Sequence, residues 1–122
     1  MTVAISCIVP VFNGEQFLGE AIDSILAQTH QPGEVIVVDN GSMDRSAAIA
    51  SSYGDPVRVL HEDKRGPAAA RNAGIRAAGL PFIAFLDADD LFHPEKLERQ
   101  VAHLGSRADL GISLCVAENV YA

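Results

Sequence analysis

The sequence predicts an α/β fold: a mostly parallel, doubly wound sheet with helices on both faces. Two observations carry this expectation. Apolar runs of strand length recur with almost no polar interruption at residues 5–11, 34–39 and 82–86, and such runs belong to strands covered on both faces, as in a parallel sheet. Segments of helical period lie between them, and repeated strand–helix–strand units join parallel strands through crossovers.

Taken in order, residues 5–11 (ISCIVPV) read as a first strand rich in Ile and Val, with Pro10 near its end. Residues 15–28 carry Leu18, Ala21, Ile22, Ile25 and Leu26 at helical spacing. Residues 34–39 (EVIVVD) form a second strand. Residues 44–53 form a short helix for which Ser42 suits the N-cap. A third strand covers 57–61. Residues 67–78 are an alanine-rich helix with Pro67 in its first turn, where a missing N–H costs nothing. The fourth strand covers 82–87. Residues 94–104 form another Pro-initiated helix, with Leu97, Val101 and Leu104 on one face. A fifth strand at 112–116, extendable to Tyr121, closes the series.

At 122 residues with 48% hydrophobic content, the chain is one domain able to bury a core without staples. Its formal charge of −7 argues against a nucleic-acid partner, because affinity for a phosphate backbone comes largely from Lys and Arg. It does not argue against a single nucleotide, whose charge a metal can carry. Cys7 and Cys115 sit in strand-like apolar runs and read as buried thiols of a cytosolic protein rather than a pair. No basic-then-apolar leader opens the chain, and no apolar run approaches the ~20 residues of a membrane span. The expected location is cytoplasmic and, for a longer parent protein, the inner face of the membrane.

Ligands of open parallel sheets bind outside the carboxyl ends of the strands. There the fourth strand runs from Phe82-Ile83-Ala84-Phe85 straight into Leu86-Asp87-Ala88-Asp89-Asp90. Crowded carboxylates repel one another. A hard dication with oxygen ligands neutralises them, and Mg²⁺ so held completes its shell with water and substrate phosphates. The same string also suits a plain polar strand-to-helix loop. To the same edge the first strand brings Pro10, Val11, Phe12, Asn13 and Glu15, and the second brings Asp39, Asn40, Gly41, Ser42 and Asp44. The third brings Glu62, Asp63, Lys64, Arg65 and Gly66, with Arg71 and Asn72 in the following helix. Singly, each has a plain reading: D-N-G-S is a tight turn and cap, Arg71 a solvated helix residue, Phe12 a core ring. Their convergence on one edge is what points to a metal–diphosphate site.

The motifs at this edge resemble the nucleotide-binding half of family-2 glycosyltransferases, enzymes of the GT-A fold that use sugar nucleotides. The resemblance rests on I-V-P-V-F-N at 8–13 with Glu15 beyond it, V-D-N-G-S-M-D at 38–44, G-P-A-A-A-R-N-A-G at 66–74 and F-L-D-A-D-D at 85–90. These motifs stand in order, at family-like spacing, across nearly the whole chain. The resemblance implies a Rossmann-like GT-A nucleotide-binding half. It implies that Pro10, Val11, Phe12, Asn13 and Glu15 hold the nucleobase, with Phe12 where Tyr is more usual. Asp39 would accept a hydrogen bond from a base N–H, and Gly66 and Arg71 would lie beside the nucleotide, with Asn72 supporting the loop. Asp87 would face the ribose, with Ala88 also among the nucleotide-binding residues, and Asp89 with Asp87 would hold Mg²⁺ or Mn²⁺ on the diphosphate. The donor expected is a nucleoside-diphosphate sugar, with UDP favoured over guanosine and thymidine carriers. The family more often has a second Asp where this chain has Asn40.

Family members continue into a second half that supplies the acceptor site and a general base, usually a carboxylate. No residue of 1–122 takes that role, so the chain is expected to be a C-terminally truncated fragment of a longer inverting transferase. A non-catalytic nucleotide-sugar-binding module is the alternative. A receiver-type phosphoacceptor domain has this length and alternation, but it needs an acidic pair where Pro10-Val11-Phe12-Asn13 stand, and a Lys where Ala117-Glu118 stand. Dinucleotide and P-loop readings fail because neither glycine motif is present.

Overall fold

The computed structural model describes residues 4–105 and 114–115. Every residue of strand β1 (Ile5–Val11) except Pro10 is buried, as an apolar run covered on both faces requires. The chain continues through α1 (Leu18–Leu26), β2 (Glu34–Asp39), α2 (Ser46–Ser51), β3 (Val57–His61), α3 (Pro67–Ala77), β4 (Phe82–Phe85), α4 (Lys96–Gly105) and β5 (Leu114–Cys115). The sheet has the order β3-β2-β1-β4-β5, and every pairing is parallel. β1 is therefore central, in register with β2 from Ser6↔Glu34 to Val11↔Asp39 and with β4 from Ile5↔Phe82 to Ile8↔Phe85.

Strand alternation divides the core into two layers. On one face Ile5, Cys7, Val9 and Val11 join Val35 and Val37 against Leu18, Ile22 and Ile25 of α1, Ala50 of α2 and Leu97 of α4. On the other, Ile8, Ile36, Val38 and Ile83 meet Ala70 and Ala73 of α3. The alanines of α3 let it lie close to the sheet. At Gly74 the approach is closer still, since a Cβ there would stand 2.5 Å from Ile8 Cγ2. Cys7 and Cys115 each pair with Ala84, from opposite sides. Two strand spacings, about 9.6 Å, separate them, beyond the reach of a disulfide.

The amino edge of the sheet is held by Glu34. Its carboxylate accepts hydrogen bonds from Ser6 Oγ at 2.6 Å and the Gly79 N–H at 2.7 Å. The Arg58 guanidinium pairs with it at 3.3 Å and donates to the Ala77 carbonyl at 2.7 Å. Burial raises the Glu34 pKa, but the Ser6, Gly79 and Arg58 contacts outweigh it and hold the carboxyl below its ordinary value.

The first three strands match the sequence reading end for end; the helices and β4 differ from it by one to three residues at their ends, and three of these shifts have local reasons. α1 starts at Leu18 because residues 14–17 form a turn in which the Gly14 carbonyl accepts from the Phe17 and Leu18 N–H groups. α2 starts at Ser46, so Ser42 is not its N-cap. Arg45 holds that position without a side-chain cap, and Asp44 just before it accepts from the Ser46 N–H at 2.9 Å. β4 stops at Phe85 because the Asp90 N–H closes back on the Asp87 carbonyl at 3.0 Å. The parts of the expected fifth strand at 112–113 and from 116 onward lie outside the described residues.

Candidate functional site

The strand order reverses beside β1: the chain runs outward through β2 and β3, then returns to the opposite side as β4. Such a switch point leaves a crevice at the strands' carboxyl ends. A cleft of about 370 Å³ lies there. Pro10, Val11 and Phe12 from the end of β1 form one wall, and Asp87, past the end of β4, forms another. Gly66, Pro67, Ala70 and Arg71 line it from the start of α3, with Asn40 and Arg65 completing it.

The segment between β3 and α3 is shaped by Asn40, which is 6% exposed. Its amide nitrogen donates to the Glu62 carbonyl at 3.0 Å and the Lys64 carbonyl at 2.8 Å, and its oxygen accepts from the Gly66 N–H at 2.9 Å. Gly66 has φ +117°, which a side chain would resist. This brings Arg65 across the cleft, its Cζ 4.6 Å from the centre of the half-exposed Phe12 ring. Arg71 stands on the other side, with Nη2 3.6 Å from Asp87 Oδ1.

Asp87, Asp89 and Asp90 surround the tight turn that ends β4, and their carboxylate oxygens lie within 4.8 Å of one another. Burial, and then the Asp89 and Asp87 carboxylates, push the Asp90 pKa up. All-oxygen, all-acidic donors at this spacing fit Mg²⁺ or Mn²⁺. The loop that follows is pinned to the end of α1. Ser24 Oγ accepts from the Phe92 N–H at 3.1 Å. The buried Gln28 side chain donates to the His93 carbonyl at 2.7 Å and accepts from the Leu97 N–H at 2.9 Å.

The remaining sequence-identified residues fall around this centre in different ways. Asn13, at φ +51°, donates its N–H to Ser42 Oγ, and its Oδ1 accepts from the Met43 N–H at 2.8 Å. The Glu15 N–H donates to Asp44 Oδ2, while a Glu15 oxygen accepts from the Arg45 N–H at 3.3 Å. Both residues thus latch the β1–α1 loop to the β2–α2 loop and do not line the cleft. Asp39 is buried behind it, with Oδ1 accepting from the Ser42 N–H at 3.1 Å and Oδ2 3.3 Å from His61 Nδ1. Ala88 packs against the core, Asp89 is exposed at the rim, and Asn72 lines a neighbouring cleft. Sequence reasoning gave no role to Arg65, Ser24 or Gln28. Gln28 carried no signal, because its partners lie 65 and 69 residues away.

A family model described as glycosyl transferase family 2 matches residues 6–119. An uncharacterized glycosyltransferase of Rickettsia bellii is 46% identical over 99 residues, which are 80% of this chain and 14% of that protein. Among solved structures, S. aureus TarS in complex with UDP-GlcNAc superposes with a TM-score of 0.78 at 29% identity, over 87% of this chain and 32% of that one. Glucosyl-3-phosphoglycerate synthase from Mycobacterium tuberculosis, in complex with Mn²⁺, UDP and glucosyl-3-phosphoglycerate, superposes with a TM-score of 0.72 at 27% identity, over 84% and 39%. The chain therefore spans less than half the length of these relatives. Among the described residues no helix is long and apolar enough to cross a membrane. With a GT-A-like sheet, a cleft at its switch point and a family match over almost its full length, the chain belongs to glycosyl transferase family 2.

Proposed function

We propose that the chain carries the donor-binding half of an inverting glycosyltransferase that takes a nucleoside-diphosphate sugar, UDP-linked by preference, with Mg²⁺ or Mn²⁺. One observation carries the reading: Asp87 belongs both to the cleft and to the carboxylate cluster. A nucleotide lying in the cleft would then have its diphosphate beside the acidic turn. In this reading Pro10, Val11 and Phe12 cradle the base, Gly66 and Arg71 flank the nucleotide, and Asp87 and Ala88 border the ribose. Asp39 uses two of its roughly four acceptor positions on Ser42 and His61, and a remaining one serves a base N–H. Asn13 and Glu15 act on the nucleotide through the loop they latch. Asp89 and Asp87 would hold the cation, which when bound supplies Lewis-acid stabilisation of the leaving nucleoside diphosphate. The acceptor site and the general base that takes the acceptor's proton are assigned to the length that relatives have beyond this match.

Calorimetric titration of UDP with Mn²⁺, and again with chelator, tests the reading. Without the cation the diphosphate faces Asp87 and Asp89 unscreened, so binding should weaken strongly, and Asp89→Asn should remove most of the metal dependence. Equal affinity in both conditions would exclude the metal assignment. The 122-residue chain should bind donor without transferring its sugar; transfer to any acceptor would place the base within it.

A further inference from the structure

We propose that Arg65 is a base-stacking residue that, together with Phe12, determines how tightly the donor's nucleobase is held. The proposal rests on the cleft being the nucleotide site. Phe12 is 48% exposed and lines the cleft, so its ring is open to a ligand lying there. It offers a bare π-face with no hydroxyl to hydrogen-bond a partner. In the structure that face is met by the Arg65 guanidinium, 4.6 Å from the ring centre. A guanidinium is planar and weakly hydrated, and it stacks on aromatic faces as an ammonium cannot.

Two features make this contact more than a chance surface pair. Among the described arginines, Arg65 and Arg45 have no carboxylate within ion-pair distance, whereas Arg58, Arg71, Arg76 and Arg99 each have one. In addition, the backbone that carries Arg65 is held on both sides, by Asn40 on the Lys64 carbonyl and on the Gly66 N–H. The side chain itself is exposed and extends past Gly41, where an added Cβ would lie 3.5 Å from its Nε. With its backbone anchored and its side chain exposed, the guanidinium has room to lift from the ring by one base thickness, about 3.4 Å. A nucleobase would then enter between the ring face and the guanidinium that lies over it.

The alternative role for a cation here is contact with the diphosphate, and the two differ in what they discriminate. Stacking acts on the base and needs a planar cation, whereas a phosphate contact follows phosphate charge and accepts any cation. We would measure UDP and UMP binding by calorimetry with Mn²⁺ in the wild-type chain, Arg65→Met and Arg65→Lys, with thermal melting as a folding control. Stacking predicts that Arg65→Met weakens both nucleotides alike, by about fivefold. It also predicts that Arg65→Lys restores little, and that Phe12→Leu in the Arg65→Met background costs less than Phe12→Leu alone. A loss confined to UDP and rescued by Arg65→Lys would overturn the proposal in favour of a phosphate contact. Unchanged or tighter binding in Arg65→Met would show that Arg65 takes no part or obstructs the base. If the wild-type chain itself bound neither nucleotide, the donor-site reading would fall first and this proposal with it.

Discussion

Asn40 and Gly66 are joined by a 2.9 Å hydrogen bond that bridges 26 residues of sequence and closes the floor of the cleft. Only an amide serves here, because the same side chain also donates to the Glu62 and Lys64 carbonyls. An Asp would keep the acceptor, lose both donors and turn negative charge toward two carbonyl oxygens. Asn40→Asp should therefore lower stability by about 2 kcal/mol and weaken UDP binding with it. Urea denaturation alongside calorimetry measures both, and unchanged stability would mean that the segment is braced by other contacts.

The identity of the base should follow from Asp39. A carboxylate only accepts, so it suits uracil N3–H and offers nothing to the bare N3 of cytosine. UDP should bind more tightly than CDP by about 1–3 kcal/mol, the cost of leaving a buried polar group unpaired. Asp39→Asn should narrow the gap, because an amide can also donate. CDP matching UDP in competition binding would return Asp39 to a purely structural part with Ser42 and His61.

Gln28 should matter to the acidic turn without touching it. Gln28→Leu leaves the His93 carbonyl and the Leu97 N–H without their partner, at a cost of about 2–3 kcal/mol. The loop after Asp90 then loses an anchor, so the Mn²⁺ enhancement of UDP binding should fall while metal-free binding changes little. If both fall in proportion, the anchor serves the whole fold and not the turn.

Glu34 gives the molecule an acid-sensitive clamp far from the cleft. Its folded pKa lies below the ordinary 4.5, so the stability it contributes is fully present above that value. That contribution is lost as pH falls through the depressed folded pKa. At pH 7 Glu34→Gln should cost about 2 kcal/mol, since a charged acceptor of several hydrogen bonds becomes neutral. The difference between wild type and variant should shrink steadily below pH 4.5 in denaturation curves taken across that range. A gap independent of pH would show that the carboxylate is not ionised in the clamp.

The strands were legible because burial on both faces demands unbroken apolar runs, and β1, β2 and β3 keep the predicted ends. Helix starts were less so, because the polar residues there have tertiary uses: Glu15 and Ser42 read as helix-start residues, yet they bind the neighbouring loop. The aspartates and the residues around them were visible as a set, since a parallel sheet must deliver them to one edge. Asn40 drew notice as an edge and turn residue and as a departure from the family pattern, but its three bonds to the 62–66 segment depend on a fold that brings distant backbone beside it. Arg65 was placed at the edge with Glu62, Asp63, Lys64 and Gly66 but given no role of its own; only the three-dimensional path of that segment lays it on Phe12.

β2 and β3 add to β1 in sequence order, whereas β4 reaches it only after the chain has gone out and back, pairing Ile5 with Phe82. Asp87 reaches its wall of the cleft just past the end of β4, so a nucleotide gripping both walls would recognise only a sheet with β4 in place. By mass action, a nucleotide that binds only this form would stabilise it by an amount that grows with its concentration relative to the dissociation constant. A donor bound as proposed would fasten the joint with the greatest span in sequence, and a molecule opened along that seam would lack the intact cleft. Saturation with nucleotide would then measure how much of a preparation has finished assembling.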